Sequence, residues 1–316
     1  MIESKIAKEI LHCEVISPML SHGNLDNGLK TKPELRSTEL KALMRQTYRM
    51  AKMTQTTTDL FQHESIYFGD AQSKASPISI QMYESQQNRN ADIVDTSSKL
   101  FFYKEQGRRN PIAHTIQKDS LFDIILRYKG YRMEEKADMS IRWYINLLKL
   151  SAILGGIGGR SRRGRGCFIV PNMSNHSDLL DWMVQQLNNF NDNCPYKVEK
   201  PSTIKNKQGH TKRNHPIIEE IRLGKEVSKV EDFLQRVDKA AHEIKQDTNK
   251  YHYKRTTGFA ESGKRFASSL IVSITKTKDE KLIPVYTFVE AIQGGRPITE
   301  TNQERDNFVK KVEKEG

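Results

Sequence analysis

Apolar and polar residues alternate along two stretches in the first half of the chain and predict two strands, Ala7–Pro18 and Asp119–Gly130. Between them, apolar residues at helical spacing predict a helix from Thr38 to about Lys52, which Ser37 caps at its N-terminus. A second helix, Met139–Leu154, is apolar on every side. Because a surface helix keeps a polar face, we expect this second helix to be buried.

Shorter patterns fill the remainder of the first half. The runs "SIYFGDA" (65–71) and "SPISIQMY" (76–83) are β-like, and "CFIV" (167–170) predicts a buried strand after the apolar helix. The segments 84–98 and 104–115 are polar and poor in aromatic residues, so they are predicted to be loops or partly disordered.

The second half has patterns of the same kind. Helices are predicted at Asp178–Phe190 and Lys229–Lys250, with a basic loop between them. A hairpin is predicted from Phe266–Thr275 and Ile283–Ile292, and a short amphipathic helix is predicted to begin at Glu304. No sequence repeat relates the two halves.

The order of these elements indicates the fold class. Each half mixes a few strands with two helices in an order similar to β-α-β-β-α-β, and 316 residues are long for one domain. The prediction is an α+β protein with two tandem ferredoxin-like (RRM-like) domains. The first would span residues 1–172 and carry a glycine-rich loop, and the second would span residues 173–316.

Positive charge is concentrated in three segments of the chain. The protein has 51 Lys and Arg against 39 Asp and Glu, a net charge of +12 at pH 7. Residues 155–166 carry four Arg and no acid, residues 197–215 carry six basic residues against Glu199, and residues 250–266 carry five against Glu261. A clustered excess of this kind favours a polyanionic partner such as a nucleic acid.

The first basic segment, "GGIGGRSRRGRG" (155–166), combines glycines with arginines. Glycine permits positive φ and close approach of a ligand to the main chain, and Arg pairs with phosphate through two N–H groups. The segment lacks the GxxxxGK[ST] pattern of a P-loop and the GxGxxG pattern of a dinucleotide site. It therefore predicts contact with a sugar-phosphate backbone irrespective of base sequence, against the alternative of a flexible basic loop without a defined ligand.

The helix predicted from Thr38 also carries a basic stripe. Lys41, Arg45 and Arg49 recur at four-residue spacing, away from the apolar stripe of the same helix. These side chains either bind an anion or form an ordinary solvated face.

No pattern typical of catalysis or metal binding stands out. His210 and His215 lack carboxylate or Cys partners nearby, and adjacent carboxylates such as Glu219 and Glu220 point apart in a helix or strand. We expect no catalytic residue, no metal and no cofactor.

The three Cys are far apart, no apolar run reaches 18 residues, and the N-terminus is unlike a signal peptide. These features predict a cytoplasmic protein without a membrane segment.

At this point the sequence resembles a known family. A glycine-rich loop of the form "GGIGGRSRRGRG" after a Leu-rich helix resembles the signature of the RAMP superfamily of CRISPR proteins, in the version of the terminal subunit of the type III-B (Cmr) effector complex. Two further stretches are similar to the same subunit. They are "SPMLSHG…ELRSTELKALMRQTYR" near the start of the chain and "GKRFASSLIVSI…IPVYTF" near its end.

The resemblance implies two ferredoxin-like domains in a non-catalytic subunit that binds RNA where the 3′ part of the guide RNA meets the target RNA. It implies guide RNA, target RNA and the other RAMP subunits as partners. The implied RNA-binding residues lie in the glycine-rich loop, on the first helix and before the closing hairpin: Gly155, Gly156, Gly158, Gly159, Arg160, Arg162, Arg163, Arg165, Lys41, Arg45, Arg49, Lys264 and Arg265.

Two other functions remain open from the sequence. Some RAMP-related proteins are metal-independent endoribonucleases that process the guide RNA precursor, using His, Lys or Tyr for acid–base chemistry. In those proteins the glycine-rich loop lies close to the C-terminus, whereas here 150 residues follow position 166. The other possibility is a basic RNA-binding protein outside CRISPR systems, which would bind RNA tightly without partner subunits.

Overall fold

The structure is a computed structural model that describes residues 6–22, 33–85, 96–99, 112–129, 140–208, 215–246, 258–261, 264–293, 296–298 and 302–313. Within these ranges the helices are α1 (Ser37–Ala51), α2 (Thr57–Phe68), α3 (Ile141–Leu154), α4 (Leu179–Asn188), α5 (Val230–Gln246) and α6 (Asn302–Glu313). None of the helices in the described ranges is long and apolar enough to cross a membrane.

The strands in the same ranges are numbered in chain order. They are β1 (Ile6–Val15), β2 (Ile78–Glu84), β3 (Thr96–Lys99), β4 (Ile112–Thr115), β5 (Leu121–Lys129), β6 (Phe168–Ile169), β7 (Tyr196–Lys200), β8 (Thr203–Asn206), β9 (Ile218–Leu223), β10 (Phe259–Glu261), β11 (Lys264–Phe266), β12 (Leu270–Lys276), β13 (Leu282–Val289), β14 (Ala291–Gln293) and β15 (Arg296–Ile298). The pairs β3–β4, β10–β11 and β14–β15 are separate antiparallel hairpins.

The first half forms an antiparallel sheet with the strand order β2-β5-β1-β6. Its elements follow one another as β1-α1-β2-β5-α3-β6, apart from α2 and the β3–β4 hairpin, which is the β-α-β-β-α-β order of a ferredoxin-like unit. Alternate side chains of β5 are buried on the side that the helices cover: Phe122, Ile124, Leu126 and Tyr128. The period of two therefore places one face of this sheet in the core.

The second half forms an antiparallel sheet with the order β12-β13-β9-β8-β7. All its neighbouring strands are antiparallel, and β13, which comes late in the chain, lies between β12 and β9. Helices α5 and α6 pack on one face, and α3 and α4 contact the other. Because both faces are covered, β12 and β13 are almost wholly buried and nearly continuously apolar.

Helix α3 joins the two halves. It contacts β1 and β5 of the first sheet and β12 and β13 of the second. Leu147, Leu148, Leu150 and Ile153 are fully buried, so the expectation of a buried helix is confirmed. The Ser273 hydroxyl of β12 donates a 2.5 Å hydrogen bond to the Ile153 carbonyl of α3. The α+β fold is confirmed, and the domain boundary at residue 172 stays a prediction.

Several of the predicted elements are wrong. The run 65–71, predicted as a strand, forms the end of α2 and the turn after it, because Thr56 and Asp59 start a helix there. The segment between α4 and α5, predicted as a basic loop, contains strands β7, β8 and β9. The polar segments 84–98 and 104–115 contain most of β3 and all of β4.

The predicted cap of α1 is also wrong. Ser37 is the first residue of the helix, and its hydroxyl accepts a hydrogen bond from the Met82 amide of β2 at 3.0 Å. The hydroxyl thus joins the helix to the sheet instead of capping its own helix.

Candidate nucleic-acid interface

The glycine-rich loop (155–166) connects α3 to β6, and most of its glycines face other backbone or side-chain atoms of the protein at close range. Gly158 has φ +86°, and a Cβ atom there would lie 2.5 Å from the Leu20 carbonyl oxygen. A Cβ on Gly156 would overlap the Arg165 carbonyl, and one on Gly155 would lie 2.9 Å from Leu43. The expectation that these glycines admit a ligand to the main chain is therefore corrected, because protein atoms already occupy that space. Gly159 alone among them is exposed.

Backbone hydrogen bonds hold the loop between the two halves of the chain. On one side the Gly159 amide donates to the Leu20 carbonyl at 2.8 Å, and the Gly166 amide donates to Pro18 at 3.0 Å. On the other side the Gly164 amide donates to the Val272 carbonyl at 2.8 Å. Val272 belongs to β12, the edge strand of the second sheet, so the loop also covers that edge. The loop is thus a fixed connection between the halves.

Two of the four loop arginines bind a buried carboxylate. Arg165 and Asp238 of α5 are 2% and 3% exposed and form a two-point ion pair with N–O distances of 2.6 and 3.2 Å. Arg160 approaches the same carboxylate at 3.5 Å. The prediction that Arg165 contacts RNA is corrected, because its guanidinium is enclosed and its charge is met by Asp238. Arg160 is partly exposed and still reaches solvent.

The other two loop arginines turn toward Ser268, just before β12. The guanidinium of Arg162 donates to the Ser268 carbonyl, and that of Arg163 donates to the Ser268 hydroxyl at 3.3 Å. Desolvation lowers the pKa of both, that of Arg163 to about 10. That value is well above neutral pH, so Arg163 keeps its positive charge.

The basic stripe of α1 divides into two parts. Arg45 and Arg49 both pair with the carboxylate of Glu64 on α2, which is 1% exposed, and the Arg49–Glu64 contact includes a second hydrogen bond of 3.0 Å. Lys41 lies apart from this pair and donates to the Ser76 hydroxyl at 3.1 Å. Desolvation, and then repulsion by Arg45, lowers the pKa of Lys41.

A groove of about 1180 Å³ lies between α1, α2 and the second half of the chain. Its lining brings together the two arginines of α1 with Arg162 of the glycine-rich loop, although residues 49 and 162 are far apart in sequence. The other lining residues include Gln46, Met50, Leu60, Phe61, Glu64, His215, Pro216, Ala267, Ser268, Ser269, Val289 and Glu290. The sequence-predicted residues Arg45, Arg49 and Arg162 therefore form one site, and Lys41 and Arg165 are outside its lining.

Lys264 and Arg265 lie in β11, which pairs with β10. Their side chains are outside the described residues, so their predicted contact with RNA stays a prediction.

Comparison of the sequence with models of known protein families shows which family the chain belongs to. The model of the RAMP superfamily matches residues 12–169, half of the chain, from β1 to the end of the glycine-rich loop and β6. The chain belongs to the RAMP superfamily. No curated protein is significantly similar to it in sequence.

Solved structures show the same RAMP fold over nearly the whole chain. Cmr1 from Pyrococcus furiosus in its apo form has a TM-score of 0.59 and 15% identity, covering 98% of this chain and 97% of that one. A chain of type III-B Cmr-beta bound to cognate target RNA and AMPPnP, in the presence of ssDNA, has a TM-score of 0.60, 11% identity and coverage of 96% and 98%. A chain of Cmr-beta bound to cognate target RNA alone has a TM-score of 0.58, 12% identity and coverage of 96% and 99%.

Sequence reasoning missed two residues of the groove, Phe61 and Glu64, and the buried partner of Arg165, Asp238. A local signal existed for α2, since Thr56-x-x-Asp59 is a capping pattern, and the Thr56 hydroxyl accepts from the Asp59 amide at 3.1 Å. No local signal connects Asp238 to a loop some 70 residues earlier. Within the described ranges, no three His, Cys, Asp or Glu side chains are grouped as a metal site would require.

Proposed function

We propose that this RAMP protein is an RNA-binding subunit of a type III-B CRISPR effector complex and holds an RNA backbone in the groove between α1, α2 and the glycine-rich loop. The observation that carries the proposal is the meeting of Arg45, Arg49 and Arg162 in one groove. Each guanidinium has five N–H groups in a planar fork that suits phosphate oxygens.

The groove presents positive charge to a ligand, because its carboxylates are buried and its guanidiniums are partly exposed. Two carboxylates, Glu64 and Glu290, belong to its lining, but they are 1% and 4% exposed. The side chains of Arg45 and Arg49 are 32% and 49% exposed. The buried Glu64 carboxylate holds the guanidiniums of Arg45 and Arg49, while these cationic groups reach solvent. A groove of this design attracts an anionic chain of any sequence, and base pairing between guide and target would supply the sequence choice.

The similar solved structures support RNA as the polyanion and a multi-subunit assembly as the setting. Two of them are chains of a type III-B Cmr complex bound to cognate target RNA. We propose guide RNA, target RNA and other RAMP subunits as the partners of this chain. The three Cys side chains are free thiols, which supports a reducing compartment such as the cytoplasm.

Salt-dependent binding of the full-length protein to a single-stranded RNA tests the proposal. Each phosphate contact to a single strand contributes about 0.7 to the slope of log affinity against log salt. Arg45→Ala and Arg49→Ala should each weaken binding and lower this slope by about 0.7. Arg127→Ala is the matched control, because Arg127 lies on β5 and contacts Gln81 of β2, away from the groove.

Two results would contradict the proposal. One is a protein that binds no RNA at low salt, and the other is a slope that both groove variants leave equal to that of Arg127→Ala. Purification of the native complex, with identification of its proteins and RNA, tests the proposed partners directly.

The proposed role is non-catalytic, and the rival role is cleavage of guide RNA precursor. Incubation of the protein with precursor and target RNA, with magnesium or with a chelator, should leave both RNAs intact. Cleavage that disappears in a His215→Ala variant would instead favour the nuclease, since His215 belongs to the groove lining.

A further inference from the structure

Phe61 is exposed at the edge of the groove, which is unusual for a phenyl ring. It is 52% exposed, whereas its neighbour on α2, Leu60, is 5% exposed and belongs to the core. The nearby aromatic residues pack with one another: Tyr48, Tyr67 and Trp143 form a cluster with ring centroids 4.5–6.1 Å apart. Phe61 belongs to the groove lining and not to this cluster, so its ring presents apolar surface to whatever occupies the groove.

The position of Phe61 on α2 connects it to the cationic groups. Phe61 and Glu64 are three residues apart and therefore lie on the same side of the helix. Glu64 in turn holds the guanidiniums of Arg45 and Arg49. One wall of the groove thus carries a flat aromatic ring and two guanidiniums, on two helices that fix their spacing.

We propose that Phe61 stacks on an unpaired nucleobase of the RNA whose phosphates Arg45 and Arg49 bind, so that the groove selects single-stranded RNA over a duplex. The inference rests on the proposed RNA-binding function. A protein that binds single strands without sequence preference combines a basic groove with aromatic rings, because every base has a π-face that can stack. In a duplex the bases are already stacked and paired, so a ring at this position gains nothing from them.

Substitutions at position 61 separate stacking from charge. Phe61→Ala should weaken binding of single-stranded RNA by roughly 5- to 140-fold, the range of one base–aromatic stack. The salt slope should not change, because a phenyl ring releases no counterion. Phe61→Trp should restore binding, and Phe61→Leu, which keeps apolar area but has no π-face, should not. Tyr83→Ala is the matched control, since Tyr83 is 49% exposed but lies on β2 beside a different cavity.

The experiment uses fluorescence anisotropy of the full-length protein with a single-stranded RNA, the matching duplex, and a series of RNAs that each carry one abasic nucleotide. The wild-type protein should prefer the single strand and lose affinity at one abasic position. Phe61→Ala should be insensitive to that same position. Melting temperatures of all variants show whether each is folded, and Phe61→Leu replaces Phe61→Ala in the abasic series if the latter unfolds, because a leucine side chain also has no π-face.

The outcomes distinguish the inference from the function on which it rests. If the wild-type protein binds no RNA, the proposed function fails. If it binds RNA but Phe61→Ala behaves like Tyr83→Ala, or Phe61→Leu binds like the parent, the groove binds RNA and the stacking role is wrong. Equal affinity for single strand and duplex also overturns the inference.

Discussion

Asp238→Ala should destabilise the protein strongly, because it leaves the guanidinium of Arg165 buried without its counter-ion. The two side chains are 2% and 3% exposed and share two hydrogen bonds of 2.6 and 3.2 Å. Truncating one partner of such a pair costs about 3–5 kcal/mol, most of it the penalty of an uncompensated buried charge. For a chain of 316 residues that loss corresponds to a melting temperature about 5–8 °C lower.

A control on the same helix isolates the effect of burial. Glu243 also lies on α5 and pairs with Lys311 of α6 at 2.7 Å, but both side chains are more than a third exposed. Glu243→Ala should therefore cost no more than about 1 kcal/mol. Replacing both buried partners, Arg165→Met with Asp238→Leu, should recover most of the lost stability, because the desolvation cost disappears together with the attraction.

Scanning calorimetry and urea unfolding of these variants provide the measurement. Equal melting temperatures for Asp238→Ala and Glu243→Ala would refute the reasoning. A double variant less stable than Asp238→Ala would show that the pair contributes more than its desolvation costs.

Two further predictions concern backbone conformation and thiol chemistry. Gly158→Ala should cost about 1–3 kcal/mol from positive φ alone, with the clash in addition, whereas Gly159→Ala, at an exposed position with an ordinary contact of 3.4 Å, should be nearly neutral in thermal unfolding. Iodoacetamide at pH 8 should modify the exposed Cys194 and spare Cys13 and Cys167, where burial raises the pKa of both thiols, and peptide mass spectrometry checks this. Rapid modification of all three in the native protein would contradict the packing.

The spacing of apolar residues in the sequence predicted those helices and strands in which burial follows a regular pattern. The alternation along β5 matched a sheet with one buried face, and the apolar circumference of α3 matched a helix enclosed by both sheets. The apolar run of β12 matched a strand covered on both faces. These elements could be predicted because the burial of each residue repeats with the period of its own backbone.

The spacing of apolar residues did not predict helices and strands that are short or mostly polar. Strands β7 and β8 contain Lys and Glu at most outward positions, and their basic composition indicated a loop instead. Helix α2 buries Leu60, Glu64 and Phe68 together, so a charged residue occupies a core position and weakens the apolar stripe. That carboxylate is buried only because α1 supplies two arginines, which no window of α2 reveals.

By itself the sequence determined the fold class, the basic character of the loop and the arginines of α1, because these depend on composition and on spacing within one element. Only the tertiary structure decided how each charge is used. Among residues of identical chemistry, Arg165 is enclosed against Asp238, while Arg162 reaches the groove beside Arg45 and Arg49. The ion-pair partner and the burial of each arginine are set by packing between segments that are far apart in the chain. The free energy of a charged side chain depends on this partner and this burial more than on the residues next to it in sequence.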